Sequence, residues 1–135
     1  MSRENVEIVR RCYELWESRD WSAIPEMFDP SIEIDLSRNV FNPDTYRGHD
    51  GIERYLRVVE DVWEDFQVVP TELLEAGDNV VTGVTIRGKG KASGADVRMQ
   101  LFNVWTLRAS KVVRVVGGYR DRYEALAAAG QSEQD

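Results

Sequence analysis

The strongest constraint on this chain is a change of hydrophobic period partway along it. Up to about Asp65, apolar residues recur at three- and four-residue spacing. Beyond that they fall in four β-rich runs, about Gln67 to Ala76, Asn79 to Lys89, Asp96 to Arg108 and Lys111 to Tyr119. Only Gly77-Asp78, the Gly-rich stretch Gly88 to Gly94, and Ala109-Ser110 separate these runs, and connections that short join strands as hairpins. The second half therefore reads as one antiparallel meander. Helices first and a strongly curved sheet second give an α+β domain with helices over one face of the sheet.

The helical half divides into three. From Glu4 to Arg19, Val6, Val9, Tyr13 and Trp16 share one stripe, and Ile8, Cys12 and Leu15 share the adjacent one. Asp20 is placed to cap a second, short helix through Trp21, Ile24, Met27 and Phe28, with Pro25 tolerated in its first turn and Asp29-Pro30 ending it. A strand, Ser31 to Leu36, and a loop, Ser37 to Gly48, follow. Asp50-Gly51-Ile52-Glu53 then reads as a capping box opening a third helix to about Asp65. Asp121 and Glu124 start a last short helix, Tyr123 to Ala129, stopped by Gly130, with a tail that frays to Asp135.

Composition bounds the function. At 135 residues the chain suits a single domain spanning 1–135, long enough to bury roughly two-thirds of its unfolded surface. A formal charge of −7 argues against nucleic acid as a partner, because phosphate binding needs a concentrated basic face. Arg87, Lys89, Lys91 and Arg98 do cluster in one hairpin, where exposed strands commonly carry such charges to blunt edge pairing. Cys12 is the only cysteine, so no intramolecular disulfide forms and a reducing, cytoplasmic setting is the simplest expectation. No apolar run approaches the roughly 18 residues of a membrane span, and Met1 to Glu7 lacks a signal-peptide core.

Several chemistries lack their residues. His49 is the sole histidine, so no ordinary metal cluster can be assembled and no metal or cofactor is expected. Gly83 to Gly90 comes within one residue of a P-loop, but Gly90 replaces the Ser/Thr that would hold magnesium. No Gly-x-Ser-x-Gly elbow exists.

Candidate site residues emerge from strand parity and from the aromatic set. Along the third β-rich run, Val97, Met99, Leu101, Asn103, Trp105 and Leu107 share one face, which makes Asn103 a polar residue in an apolar row. Its amide either satisfies a structural neighbour or donates into a pocket. In Ser31 to Leu36, alternation sets Ile32, Ile34 and Leu36 against Glu33, Asp35 and Ser37, so Asp35 is either a solvated strand residue or a carboxylate at a cavity mouth. Trp16, Trp63 and Trp105 come from three elements that should converge, joined by Tyr13, Tyr46 and Tyr119. They form either a plain aromatic core or a flat-walled pocket for a small, apolar, ring-containing molecule. His49, beside Tyr46 at a helix start, is a further candidate for the binding set.

The order of elements and a set of local signatures carry a resemblance. The signatures are Arg19-Asp20-Trp21, Met27-Phe28-Asp29-Pro30, Arg47-Gly48 before the third helix, Ala76-Gly77-Asp78-Asn79-Val80, and Val104-Trp105-Thr106-Leu107-Arg108. Over almost its whole length the chain resembles the SnoaL-like branch of the nuclear transport factor 2-like superfamily. The resemblance implies a cone-shaped α+β barrel around an apolar pocket, commonly dimerised through the sheet. The fold hosts isomerases, cyclases, epoxide hydrolases and proteins with no known catalysis. Against the ketosteroid isomerases of that superfamily, Asp35 aligns with the general-base aspartate, and Asn103 with the acid that donates to the enolate oxygen. The tyrosine of that site falls nearest Cys12, with Tyr13 next to it.

The resemblance thus implies a cofactor-independent isomerase or cyclase. Asp35 would remove a proton beside a carbonyl, while Asn103 with Tyr13 or Tyr46 stabilises the enolate. The alternative is a noncatalytic ligand-binding or dimerisation module. Phe102 and Val104, with Val113 and Val115 or their neighbours, suggest a sheet surface that a homodimer would cover.

Overall fold

The computed structural model describes residues 2–134. In chain order the elements are α1 (Ser2–Glu17), a 3-10 turn (Ile24–Met27), β1 (Phe28–Asp35), β2 (Thr45–Arg47) and α2 (Gly48–Val62). They continue with β3 (Trp63–Ala76), β4 (Asn79–Gly90), β5 (Asp96–Arg108), β6 (Lys111–Tyr119) and α3 (Arg122–Gln134). The strands form one six-stranded sheet in the order β2-β1-β6-β5-β4-β3. The cone-shaped α+β architecture and the four-strand meander are present, and β5 and β6 have the expected bounds.

Four local expectations change. Pro25 supports only a four-residue 3-10 turn, and Phe28 already opens β1. β2, absent from the sequence reading, pairs antiparallel with β1 and takes Tyr46 into the sheet opposite Ile34. α2 starts at Gly48 after Arg47 with no side-chain cap. Asp50 instead sits in the first turn, where its charge favours the exposed amide end. α3 runs through Gly130 to Gln134, beyond the expected stop. Its cap does form, with the Glu124 amide donating to Asp121 Oδ1 at 2.8 Å. Asp135, the last residue of the expected fraying tail, lies outside the described residues.

β1 returns to the meander by pairing parallel with β6, Ile34 beside Val115 and Asp35 beside Val116. Register across the sheet then sorts side chains onto two faces. Ile34, Val115, Trp105 and Val80 form one row; Asp35, Val116, Val104 and Val81 form the next. The first row belongs to the main core, which α1 and α2 cover. Val9 of α1 and Ile32, Val80, Val84 and Val112 of the sheet are fully buried there, each contributing about 1.5–3 kcal/mol of transfer free energy.

The second row belongs to a smaller cluster with Phe102, Tyr119, Ala125 and Ala129. Ala125 and Ala129 lie four residues apart on one face of α3, and their small side chains let that helix settle on the sheet. Asn79 Nδ2 donates to the Ala129 carbonyl at 2.9 Å and fixes the contact. This corrects the sheet surface assigned to a second copy of the chain. Phe102 and Val104 are covered by α3 itself, and Val115 faces the main core.

Candidate functional site

A cavity of about 130 Å³ lies between α1, α2 and the concave face of the sheet. Each wall follows from an apolar period. α1 contributes Cys12, Tyr13 and Trp16, α2 contributes Ile52, Tyr55 and Leu56, and the strands contribute Ile34, Asn103, Trp105 and Val115. The sequence stripe on α1 and the parity of β5 therefore meet at one space.

Its polar end is a connected network. Asn103 is opposite Thr82 in the β4–β5 register. Trp105 Nε1 donates to Thr82 Oγ1 at 3.1 Å. The Asn103 amide nitrogen donates to Tyr13 Oη at 3.4 Å, and Tyr13 Oη and Thr82 Oγ1 are 2.8 Å apart. An indole N–H only donates, so Thr82 accepts from Trp105. Either hydroxyl can donate across the bond between Tyr13 and Thr82, so one hydroxyl proton of the pair is left over. With Thr82 as the donor, Tyr13 Oη receives protons from Thr82 and Asn103, and its own O–H is available to a molecule in the cavity.

Burial holds the Tyr13 phenol above its ordinary pKa, outweighing the hydrogen bonds from Thr82, Asn103 and Trp105 that pull it down. Tyr13 is therefore a neutral donor at physiological pH.

The strand beside Asn103 is built to make room for it. Val104 pairs with Val116 and Phe102 with Tyr119, so Gly117 and Gly118 together stand opposite Asn103 in a β-bulge. Gly118 has φ +90°, a backbone state that L side chains rarely adopt. A methyl on Gly117 would meet Asn103 Oδ1 at 3.0 Å and Leu36 Cδ2 at 2.8 Å. Sequence reasoning missed this bulge, although two consecutive glycines in a β-branched strand were a signal for it.

Asp35 does not reach this space. It is in the row of Val116 and Val104, while Ile34 and Leu36 on either side of it line the cavity. On the outer face its Oδ1 accepts from the Ser37 hydroxyl at 2.6 Å and the Ser37 amide at 3.0 Å. Arg114 stands 3.9 Å from its Oδ2 and also pairs with Glu33 at 3.2 Å. Partial burial pushes its pKa up, but the Ser37 bonds, the Arg114 charge and the Thr45 hydroxyl together bring it below the usual value. A general base needs hydrogen-bond reach to its substrate, so the pairing of Asp35 with Asn103 is corrected: the sheet stands between them.

The other expected residues divide between places. Trp16 and Trp105 line the main cavity with Tyr13. Tyr46, Trp63 and Met99 line a second, smaller cavity of about 50 Å³, which adjoins the first through Leu36 and Tyr55. Phe41 packs edge-on against Trp63 there, with ring centroids 5.6 Å apart. His49 is exposed outside both and donates from Nε2 to the Phe28 carbonyl at 3.0 Å, tying α2 to β1. Tyr119 faces the α3 side, under Arg38 at 4.5 Å. Tyr55 and Leu56, part of the α2 stripe, were legible as helix-face residues but not as cavity wall.

Cys12 is buried in the cavity wall, and burial pushes its thiol up to about 12, which leaves it protonated and unreactive. Among the described residues no group of three or more His, Cys, Asp or Glu is placed to hold a metal. No described helix is long and apolar enough to cross a membrane.

Residues 9–115 match the SnoaL-like domain family. No curated protein matches the chain. Among solved structures, it is similar to an NTF2-like protein of unknown function from Burkholderia pseudomallei. That match has 23% identity and a TM-score of 0.76, and covers 94% of this chain and 97% of the other. TerC, co-crystallised with polyporic acid, is 24% identical with a TM-score of 0.74, covering 95% and 98%. A hypothetical protein with a ketosteroid isomerase-like fold from Catenulispora acidiphila, in complex with trimethylamine, is 17% identical with a TM-score of 0.73, covering 93% and 92%.

Proposed function

The chain belongs to the SnoaL-like domain family, and on that premise we propose that it binds a small, neutral, flat apolar molecule by a carbonyl oxygen. The observation that carries this reading is the Tyr13 hydroxyl beside the Asn103 amide, set in an aromatic-walled cavity; with Thr82 donating to Tyr13, that O–H is free for an acceptor oxygen. Two donors converging in a low-dielectric space favour an acceptor oxygen over a hydrocarbon end. The apolar walls of Trp105, Phe28 and Tyr55 favour a ring against them. That relatives of this fold have been crystallised with polyporic acid and with trimethylamine supports small-molecule binding as a use of the architecture.

Binding, rather than proton abstraction, is the reading. The cavity walls named above offer donors and a protonated thiol, and Asp35 lies across the sheet from them. The test compares para-ethylacetophenone with para-diethylbenzene, which differ by one carbonyl, in calorimetric titrations. The ketone should bind about five- to tenfold more tightly, as one net hydrogen bond allows. Tyr13→Phe should erase that preference. Equal binding of the two compounds, or a preference that survives Tyr13→Phe, would sink the reading.

A further inference from the structure

The wall of the cavity carries a second donor that the Tyr13 network does not use. Trp16 lines the same cavity, and its Nε1–H is buried with no hydrogen-bond partner among the described residues. It is the one side-chain atom so placed among them. Buried donors are nearly always satisfied, and one left over calls for a specific cause. The indole is fixed rather than loose. Trp21 packs against it edge-on with centroids 5.1 Å apart, Phe66 does so at 6.2 Å, and Tyr55 lies tilted at 5.8 Å. A ring clamped from three sides holds its N–H direction at no further entropic cost on binding.

Tyr13 and Trp16 stand three residues apart on α1, so they share one face with an offset of about 4.5 Å along the axis. One rigid helix thus carries two buried donors, at two points, in the wall of one apolar cavity. We infer that Trp16 Nε1 forms a second acceptor subsite, so that the preferred ligand is a neutral ring compound with two acceptor oxygens, one at Tyr13 and Asn103 and one at Trp16. This rests on the carbonyl-binding reading above and adds the class of ligand. A single-carbonyl compound would fill the cavity but leave the indole N–H unpaired. A compound with a second carbonyl would satisfy it.

The test extends the same series by one carbonyl. Para- and meta-diacetylbenzene are titrated against para- and meta-ethylacetophenone, near-isosteres that lack only the second oxygen. At least one diacetyl compound should bind about five- to tenfold more tightly than its ethyl counterpart. Trp16→Phe keeps a ring and removes the N–H, and should abolish that gain, so that each diacetyl compound and its ethyl counterpart bind alike in the variant. Tyr13→Phe should weaken both classes.

On the wild-type protein, the Trp16 indole proton resonance, identified by its loss in Trp16→Phe, should move downfield with the diacetyl compound and not with the ethyl one. This measurement stands even if the variant folds poorly. Equal binding of the two classes, or an indole resonance unmoved by either diacetyl compound, overturns the subsite while leaving the Tyr13 reading intact. If no compound of either class binds, both fall together.

Discussion

Gly117 and Asn103 are opposed across the β5–β6 bulge so closely that a methyl on the glycine would lie 3.0 Å from the Asn103 amide oxygen. The missing side chain is what lets the amide turn its nitrogen toward Tyr13. Gly117→Ala should therefore push Asn103 out of position and press on Leu36, which a methyl would meet at 2.8 Å. Overpacking of this kind costs about 1–3 kcal/mol. Urea denaturation should show that loss, and affinity for para-ethylacetophenone should fall with it; wild-type values for both would refute the account.

Thr82 separates structural from binding effects within one network. Thr82→Val is close to isosteric and removes the hydroxyl that accepts from Trp105 Nε1 and shares a hydrogen bond with Tyr13. Leaving a buried indole N–H unpaired should cost about 1–3 kcal/mol of stability. In this variant the Tyr13 O–H has no Thr82 oxygen to bond, so the preference for a ketone over a hydrocarbon should stay at its wild-type size if Thr82 is the donor. A preference that rises would mean that the protons run the other way round, since the variant would then release an O–H engaged in the wild type.

Asp35→Asn should leave ligand affinity within about twofold, since the carboxylate sits on the outer face of the sheet. Its partners Ser37 and Arg114 are exposed enough that the loss in stability should stay below about 1 kcal/mol. The sign with pH follows from a folded-state pKa below the ordinary 3.8. The wild-type advantage should be complete above that value and disappear as pH falls below it. Denaturation midpoints of the two proteins, compared from pH 7 down to acid, check this. An advantage that grew on acidification would contradict it.

The Cys12 thiol should react slowly with aromatic disulfide reagents at pH 8 in the folded protein, at least about a hundredfold more slowly than in urea, since it is buried and protonated. Bound ketone should slow it further, because Cys12 lines the cavity. Its raised pKa also ties it to alkaline stability. Below the ordinary value of 9.0 the folded state gains fully from it, and the gain is lost as pH rises toward about 12. Cys12→Ser should flatten that part of the stability profile.

Much of this was legible in the chain because it is periodic. The β5 row with Asn103 among apolar neighbours, the two adjacent α1 stripes that carry Tyr13 with Trp16 and Cys12, and the hairpin connections are all local patterns that survive folding unchanged. The parity of Ser31 to Leu36 was equally clear, yet the aligned position of Asp35 pulled the other way. Parity was the better guide, since a strand turns every neighbour to the opposite face. What stayed hidden was non-local. The parallel β1–β6 contact and the cover of Phe102 and Val104 by α3 depend on segments far apart in sequence, and β2 is only three residues long. Two small alanines gave α3 little apolar signal of its own.

The parallel pairing of β1 with β6 sets a timetable for the molecule. Glu33 and Arg114, joined across that pairing, are 81 residues apart in the chain, and ribosomes emit residues in order. Until β6 has emerged, β1 has β2 on one flank and an open edge on the other, and the cavity lacks the wall that contains Val115. Contacts this distant close late and slowly. The cavity therefore gains its last wall only after β6 has been made, and a nascent chain that stops short of that strand has no closed pocket to offer.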